Sequence, residues 1–124
     1  MTTLRRRGYA SGVGMAFAEE AARIRHVAGL TDQQIGRATG AAPSTVRGWL
    51  AKRSSPTGRR AERVAELAEV VDRLTRVMDP GYIPVWLAKP IEALGDQRPL
   101  DLVAKGQARR VMRAVSEIES PGAV

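Results

Sequence analysis

Cysteine is absent from the 124 residues, and His26 is the only histidine. Disulfide scaffolds, thiolate metal sites and Cys/His zinc fingers are therefore excluded, while the redox compartment stays open. Aromatic residues make up only 4% of the chain. Trp49 and Trp86 are read as core residues rather than as a stacking platform or an interface anchor. No apolar run approaches the roughly 20 residues that a membrane helix needs. The segment MTTLRRRGYASGVGMAF starts basic, but it lacks the uninterrupted apolar stretch of about 7–15 residues found in a secretory signal. A cytoplasmic location is the expectation. Catalytic groupings are missing too. There is no glycine-rich phosphate loop, no nucleophile beside a base, and Glu92, Asp96 and Asp101 do not form a convincing carboxylate pair. The chain is expected to be no enzyme and to need no metal or cofactor.

What is present is basic charge, unevenly placed. Of 20 Lys and Arg residues only three are lysines: Lys52, Lys89 and Lys105. Residues 1–78 hold 14 basic and 7 acidic residues, whereas residues 79–124 hold six of each. The whole net charge of +7 thus lies in the first two thirds, which suggests that one part meets a polyanion and the other does not. The length fits one compact domain or two very small ones.

The apolar pattern is helical throughout. Residues 1–14, with Arg5, Arg6 and Arg7 followed by three glycines, read as a basic arm without apolar period. From Met15, Phe17, Ala21, Ile24 and Ala28 recur at helical spacing until Gly29. Thr31 and Gln34 have the spacing of a capping box, so a second helix starts at Asp32 and ends at Gly40. Pro43 opens a third helix that carries Val46, Trp49 and Leu50. A long helix over residues 59–78 is expected, with Val64, Leu67, Val71, Leu74 and Met78 as its apolar stripe and with Glu69–Arg73 and Asp72–Arg76 as supporting pairs. After Asp79-Pro80-Gly81, Pro84 and Pro90 restrict the chain to short pieces, expected around Trp86–Leu94 and Pro99–Lys105. An amphipathic helix then runs from Gln107 to Glu119, with Val111, Val115 and Ile118 on one side. Nothing alternates with a period of two for long enough to make a strand. The fold class is all-α, divided as a basic arm (1–14), a helix-turn-helix region with its long helix (15–78) and a small C-terminal module (79–124).

A helix-turn-helix sets a reading helix steeply across a supporting one through a tight turn. That geometry needs an apolar residue, a very small one, a turn glycine and two apolar anchors. Ile35, Gly36, Gly40, Val46 and Trp49 occupy those positions. The segment resembles the Xre, phage-repressor-like helix-turn-helix family over about residues 16–78. The resemblance implies that the exposed face of the second helix of the motif enters the major groove. Ser44, Thr45 and Arg47 are then the candidate base contacts, and Arg47 is favoured because a guanidinium can pair with guanine O6 and N7. Gln33 is a candidate phosphate contact, and Lys52, Arg53, Arg59 and Arg60 are candidate phosphate anchors. Ala42 and Gly48 stand where longer polar side chains often read bases, so affinity is expected to rest mainly on phosphates.

The neutral remainder carries a spaced pattern: Trp86, Leu94-Gly95, Pro99 with Leu102, Gly106, and the Val111/Val115/Ile118 helix. It is similar to the toxin-binding region of the MbcA/ParS/Xre antitoxins over about residues 80–120. The resemblance implies a type II antitoxin whose partner is a RES-domain, NAD-degrading toxin, held inactive by steric occlusion. It also implies that Arg109, Arg110 and Arg113, with the tail Ser120, Pro121, Gly122, Ala123 and Val124, face that partner, and that operator DNA is a second partner. A helix-turn-helix usually reads two half-sites, so a homo-oligomer is expected. Two other readings stay open: a stand-alone transcriptional regulator whose C-terminal part dimerises or senses a ligand, and an adaptor that no longer touches DNA. The arginines of the last helix are also compatible with a merely solvated face.

Overall fold

A computed structural model describes residues 16–120, which fold as seven α-helices and two 3-10 turns. The helices are α1 (16–28), α2 (Asp32–Thr39), α3 (Pro43–Leu50), α4 (Gly58–Leu74), α5 (Ile83–Ala88), α6 (Pro99–Ala104) and α7 (Ala108–Glu119). The 3-10 turns are Pro80–Tyr82 and Glu92–Leu94. An isolated antiparallel bridge joins Ile91 to Gln97, and no strand forms among the described residues. The all-helical expectation holds, and residues 1–15 and 121–124 lie outside the described part.

The local signals act where the sequence places them. The Thr31 hydroxyl accepts the Gln34 amide hydrogen at 3.1 Å, and the Gln34 side-chain oxygen accepts from the Thr31 amide at 3.0 Å, closing the capping box. Gly40 ends α2 in the left-handed conformation at φ +76°. Pro43 occupies the first turn of α3, where its missing N–H costs nothing.

The boundaries differ in three places. The long helix ends at Leu74 rather than Met78. Beyond it the amides of Arg76 and Val77 bond three residues back, and the Thr75 hydroxyl donates to the Asp72 carbonyl at 2.6 Å, a local bond that competes with continuation. Val77 and Met78 still lie half-buried against the core. The expected 86–94 piece is instead α5, which starts at Ile83 with Pro84 in its first turn, followed by a separate 3-10 turn after Pro90. Ile118 was placed on the apolar side of the last helix, but it is 41% exposed, because α7 runs past the body that covers Val111 and Val115. One expected ion pair is also replaced. Glu69 and Arg73 do pair, at 3.5 Å, but Asp72 pairs with Arg23 of α1 at 2.9 Å and not with Arg76.

A single core runs through the whole described chain. Ile24, Leu30, Ile35, Val46 and Trp49 from the first part form one cluster with Leu67, Val70 and Leu74 of α4 and with Ile83, Leu87, Leu100, Leu102 and Val111 of the last part. The buried stripe of α4 is wider than its heptad-like positions, since Ala61, Ala68 and Val70 are covered as well. The reason is that α4 packs against α2 on one side and against α6 and α7 on the other. α6 lies directly on α2, and the Arg37 guanidinium grips both carboxylate oxygens of Asp101 at 2.6 and 3.1 Å.

One buried polar group works against this packing. Burial pushes the Glu20 carboxyl above its ordinary value of 4.5; Arg23 pulls it back and Asp72 pushes it up further. Its Oε2 is covered and has no hydrogen-bond partner among the described residues. The folded state therefore holds the Glu20 proton more tightly than the unfolded chain does. That contribution to stability is full below the ordinary glutamate value and is lost as pH rises through the raised one. Glu20→Gln is accordingly expected to raise the melting temperature near neutrality, with the gain vanishing toward about pH 4. Melts of both proteins across that range check this, and a gain that persists or grows at low pH would contradict it.

Candidate nucleic-acid interface and partner-facing helix

The motif turn is built on a close approach. Gly36 is buried in α2, and a Cβ there would fall inside 3.0 Å of the Ala41 carbonyl oxygen. Its own carbonyl accepts from the amides of both Gly40, at 2.8 Å, and Ala41, at 3.0 Å. α3 is then fixed by Val46 and Trp49, both buried. Ser44 and Arg47 point out to solvent, and Thr45 is half-buried.

Gly48 does not belong to the exposed face. It is covered by the turn that follows α3, where the amides of Arg53 and Ser54 bond to its carbonyl and the Ser54 hydroxyl lies 3.0 Å from where a Cβ would stand. A side chain at this position would first have to displace the Ser54 hydroxyl.

The structure gathers some of the expected contacts and separates others. Arg47 and Arg53 line one open cleft of about 440 Å³ together with Arg25, Asp32, Leu50 and Ala51. At its centre the Asp32 carboxylate, only 17% exposed, pairs closely with Arg25 through one oxygen and lies 3.6 Å from the Arg47 guanidinium through the other. Gln33 is exposed but faces a different groove of about 570 Å³, bounded by Gln34, Gly36, Arg37, Gly40, Ala41 and Pro43 of the motif and by Ala88 and Leu100 of the last part. Lys52 is exposed in the turn after α3, and Arg59 and Arg60 are exposed at the start of α4. Arg25 and Asp32 did not stand out in the sequence. Seven residues and a glycine turn separate them, and no helical spacing links either to Arg47.

On α7 the three arginines are exposed but not equivalent. Arg110 folds back, donating to the Gln107 side chain at 2.9 Å and to the Leu94 carbonyl at 3.4 Å. Arg109 and Arg113, one turn apart, make no ion pair with another described residue and form one exposed row. Ser120 is exposed at the helix end, whereas Pro121, Gly122, Ala123 and Val124, like Arg5–Arg7, lie outside the described residues. No group of His, Asp and Glu side chains that could hold a metal ion occurs among the described residues. No helix among them is long and apolar enough to cross a membrane.

No protein-family model matches the chain. Curated relatives do. The mycobacterial cidal antitoxin MbcA of Mycobacterium tuberculosis is 33% identical over 87 residues, covering 70% of this chain and 77% of that protein. The protein of the same name from Mycobacterium bovis matches to the same extent. The chain belongs to the MbcA antitoxin family. The fold agrees, since a chain in the crystal structure of the M. tuberculosis MbcT–MbcA toxin–antitoxin complex superposes with a TM-score of 0.77 at 29% identity, covering 86% of this chain and 96% of that one. Membership of the MbcA family places this all-helical chain among the antitoxins of toxin–antitoxin systems. The arrangement of an Xre-like motif, a bridging long helix and a helical cap is therefore that of an MbcA-like antitoxin.

Proposed function

We propose that this chain binds and blocks a RES-domain, NAD-degrading toxin by steric occlusion, and represses its own operon through the helix-turn-helix. The observation that carries the reading is the likeness to a chain of the MbcT–MbcA complex, which spans 96% of that chain and so includes its C-terminal part. The functional division follows the charge division. Residues 15–78 serve DNA, with Gln33, Ser44, Thr45, Arg47, Lys52 and Arg53 on that side. Residues 79–124 serve the toxin, through Arg109, Arg110, Arg113 and the tail from Ser120 to Val124.

The chemistry on the toxin side is binding alone. The unpaired row of Arg109 and Arg113 offers two guanidiniums to carboxylates on the toxin or to the places that nucleotide phosphates occupy. A helix laid across the mouth of an NAD site excludes the substrate without any bond being made or broken. Because α6 packs on α2, a toxin held by the cap sits close to the motif, and its occupancy tunes operator affinity. A homodimer supplies the two reading helices that a two-fold operator requires.

Co-expression provides the test. Cells making a RES-domain toxin are expected to regain growth and NAD content when the chain is co-produced, and the two proteins are expected to co-purify. Reversing both charges (Arg109→Glu with Arg113→Glu) should weaken that complex at least tenfold, or about 1.4 kcal/mol, as loss of desolvated interface charges does. Failure of the wild-type chain to restore either growth or NAD would sink the antitoxin mechanism stated here.

A further inference from the structure

We propose that Asp32 is a specificity-determining positioning residue, one that turns Arg47 away from phosphates and toward a base edge. The proposal rests on the DNA-binding reading above and concerns how that face discriminates. Its basis is a cleft lined by Arg25 of α1, Arg47 of α3, Arg53 of the following turn and a single carboxylate, Asp32, which lies within ion-pair distance of the first two. The two oxygens of Asp32 serve different partners: Oδ1 pairs with Arg25, and Oδ2 lies 3.6 Å from Nη1 of Arg47. The carboxylate is largely covered, whereas the Arg47 side chain is 58% exposed, so the guanidinium stands beside the carboxylate and stays open to solvent.

The consequence follows from charge. A phosphate that docks on Arg47 must bring its own negative charge next to Asp32, and like charges at that range oppose each other. Guanine presents N7 and O6, which are neutral acceptors and meet no such repulsion. A guanidinium beside a carboxylate thus keeps its hydrogen-bond donors while losing part of its general attraction for the backbone. Phosphate attraction is the sequence-independent part of DNA affinity, so Asp32 lowers binding to any duplex more than it lowers binding to the right one. Arg25 has the complementary role. It neutralises the second oxygen, which keeps a covered carboxylate tolerable beside the reading helix.

The test compares the wild-type chain, Asp32→Asn and Asp32→Glu on two duplexes of equal length. One is the DNA immediately upstream of the gene, and the other is a scrambled sequence of the same composition. Anisotropy titrations run over a range of salt concentrations. Asp32→Asn is expected to bind the scrambled duplex about tenfold more tightly, with the salt slope steeper by about one. The preference for the upstream duplex should then fall by a similar factor. Asp32→Glu, which keeps the charge, should restore most of the preference, whereas a purely structural role would be seen as equal loss of binding to both duplexes and a lowered melting temperature. If the wild type discriminates and Asp32→Asn discriminates equally well, the assignment of Asp32 is overturned while the DNA reading stands. If the wild type retains neither duplex, with or without toxin, the DNA reading fails and takes this assignment with it.

Discussion

A chain ending at Met78 is expected to lose cooperative folding altogether, although it would keep the entire helix-turn-helix and all of the net charge. Residues 79–124 contribute Ile83, Trp86, Leu87, Leu94, Leu100, Leu102, Val103, Val111 and Val115 to the buried core. Burying a large apolar side chain is worth about 1.5–3 kcal/mol, and whole domains are stable by only about 5–15 kcal/mol. Truncation removes those nine side chains and also exposes the faces of α2 and α4 that they cover. α6 lies on α2, so the loss reaches the proposed DNA-binding side directly. The expected result is a broad, non-cooperative melt by circular dichroism, with collapsed amide dispersion in proton NMR. A truncated chain that melted sharply within about 5 °C of the full protein, a shift of order 1 kcal/mol, would show that the motif folds on its own.

The second large effect is expected from a single methyl group. Gly36→Ala places a Cβ against the Ala41 carbonyl oxygen, which is backbone and cannot swing aside. Overpacking of this kind costs about 1–3 kcal/mol and occasionally more, and here the upper end is expected because the turn between α2 and α3 must open. The melting temperature should fall by about 10 °C or more, and retention on upstream DNA should be lost because the reading helix no longer sits where Val46 and Trp49 fix it. Gly40→Ala is the control. Gly40 adopts φ +76° but has nothing within 4 Å of a Cβ position, so only the left-handed backbone penalty of about 1–2 kcal/mol applies. Equal effects of the two substitutions would contradict the close-approach explanation.

The helix-turn-helix was legible because its requirements are local. A capping box, a helix-ending glycine, a proline in a first turn and a very small residue where two helices cross all act within a few residues of themselves. Thr31, Gln34, Gly36, Gly40 and Pro43 therefore could be assigned in order along the chain. The anchors Val46 and Trp49 followed from helical spacing. The end of α4 was less legible, because Val77 and Met78 keep the apolar spacing and stay half-buried while Thr75 diverts the backbone hydrogen bonds. Ile118 kept the apolar spacing too, but spacing does not reveal where the covering body ends. The partners of Asp72 and Asp32 were hidden for a related reason. Asp72 pairs with Arg23 of α1 and not with Arg76 at helical spacing, and Asp32 pairs with arginines of α1 and α3, choices that depend on how the helices cross.

What the sequence determined by itself was the helical class, the position of the motif and the confinement of the net positive charge to residues 1–78. Periodicity, capping and charge are one-dimensional properties, so they can be read without coordinates. Only the tertiary structure decided that this apparent division is one of charge and not of folding. The motif and the neutral cap share one core through α4, which packs against both. The same packing brought Arg25 and Arg47 to Asp32, and it left Arg109 and Arg113 without an ion pair among the described residues while Arg110 folds back onto Gln107 and Leu94. Distances between helices set these pairings, and no spacing along the chain encodes them.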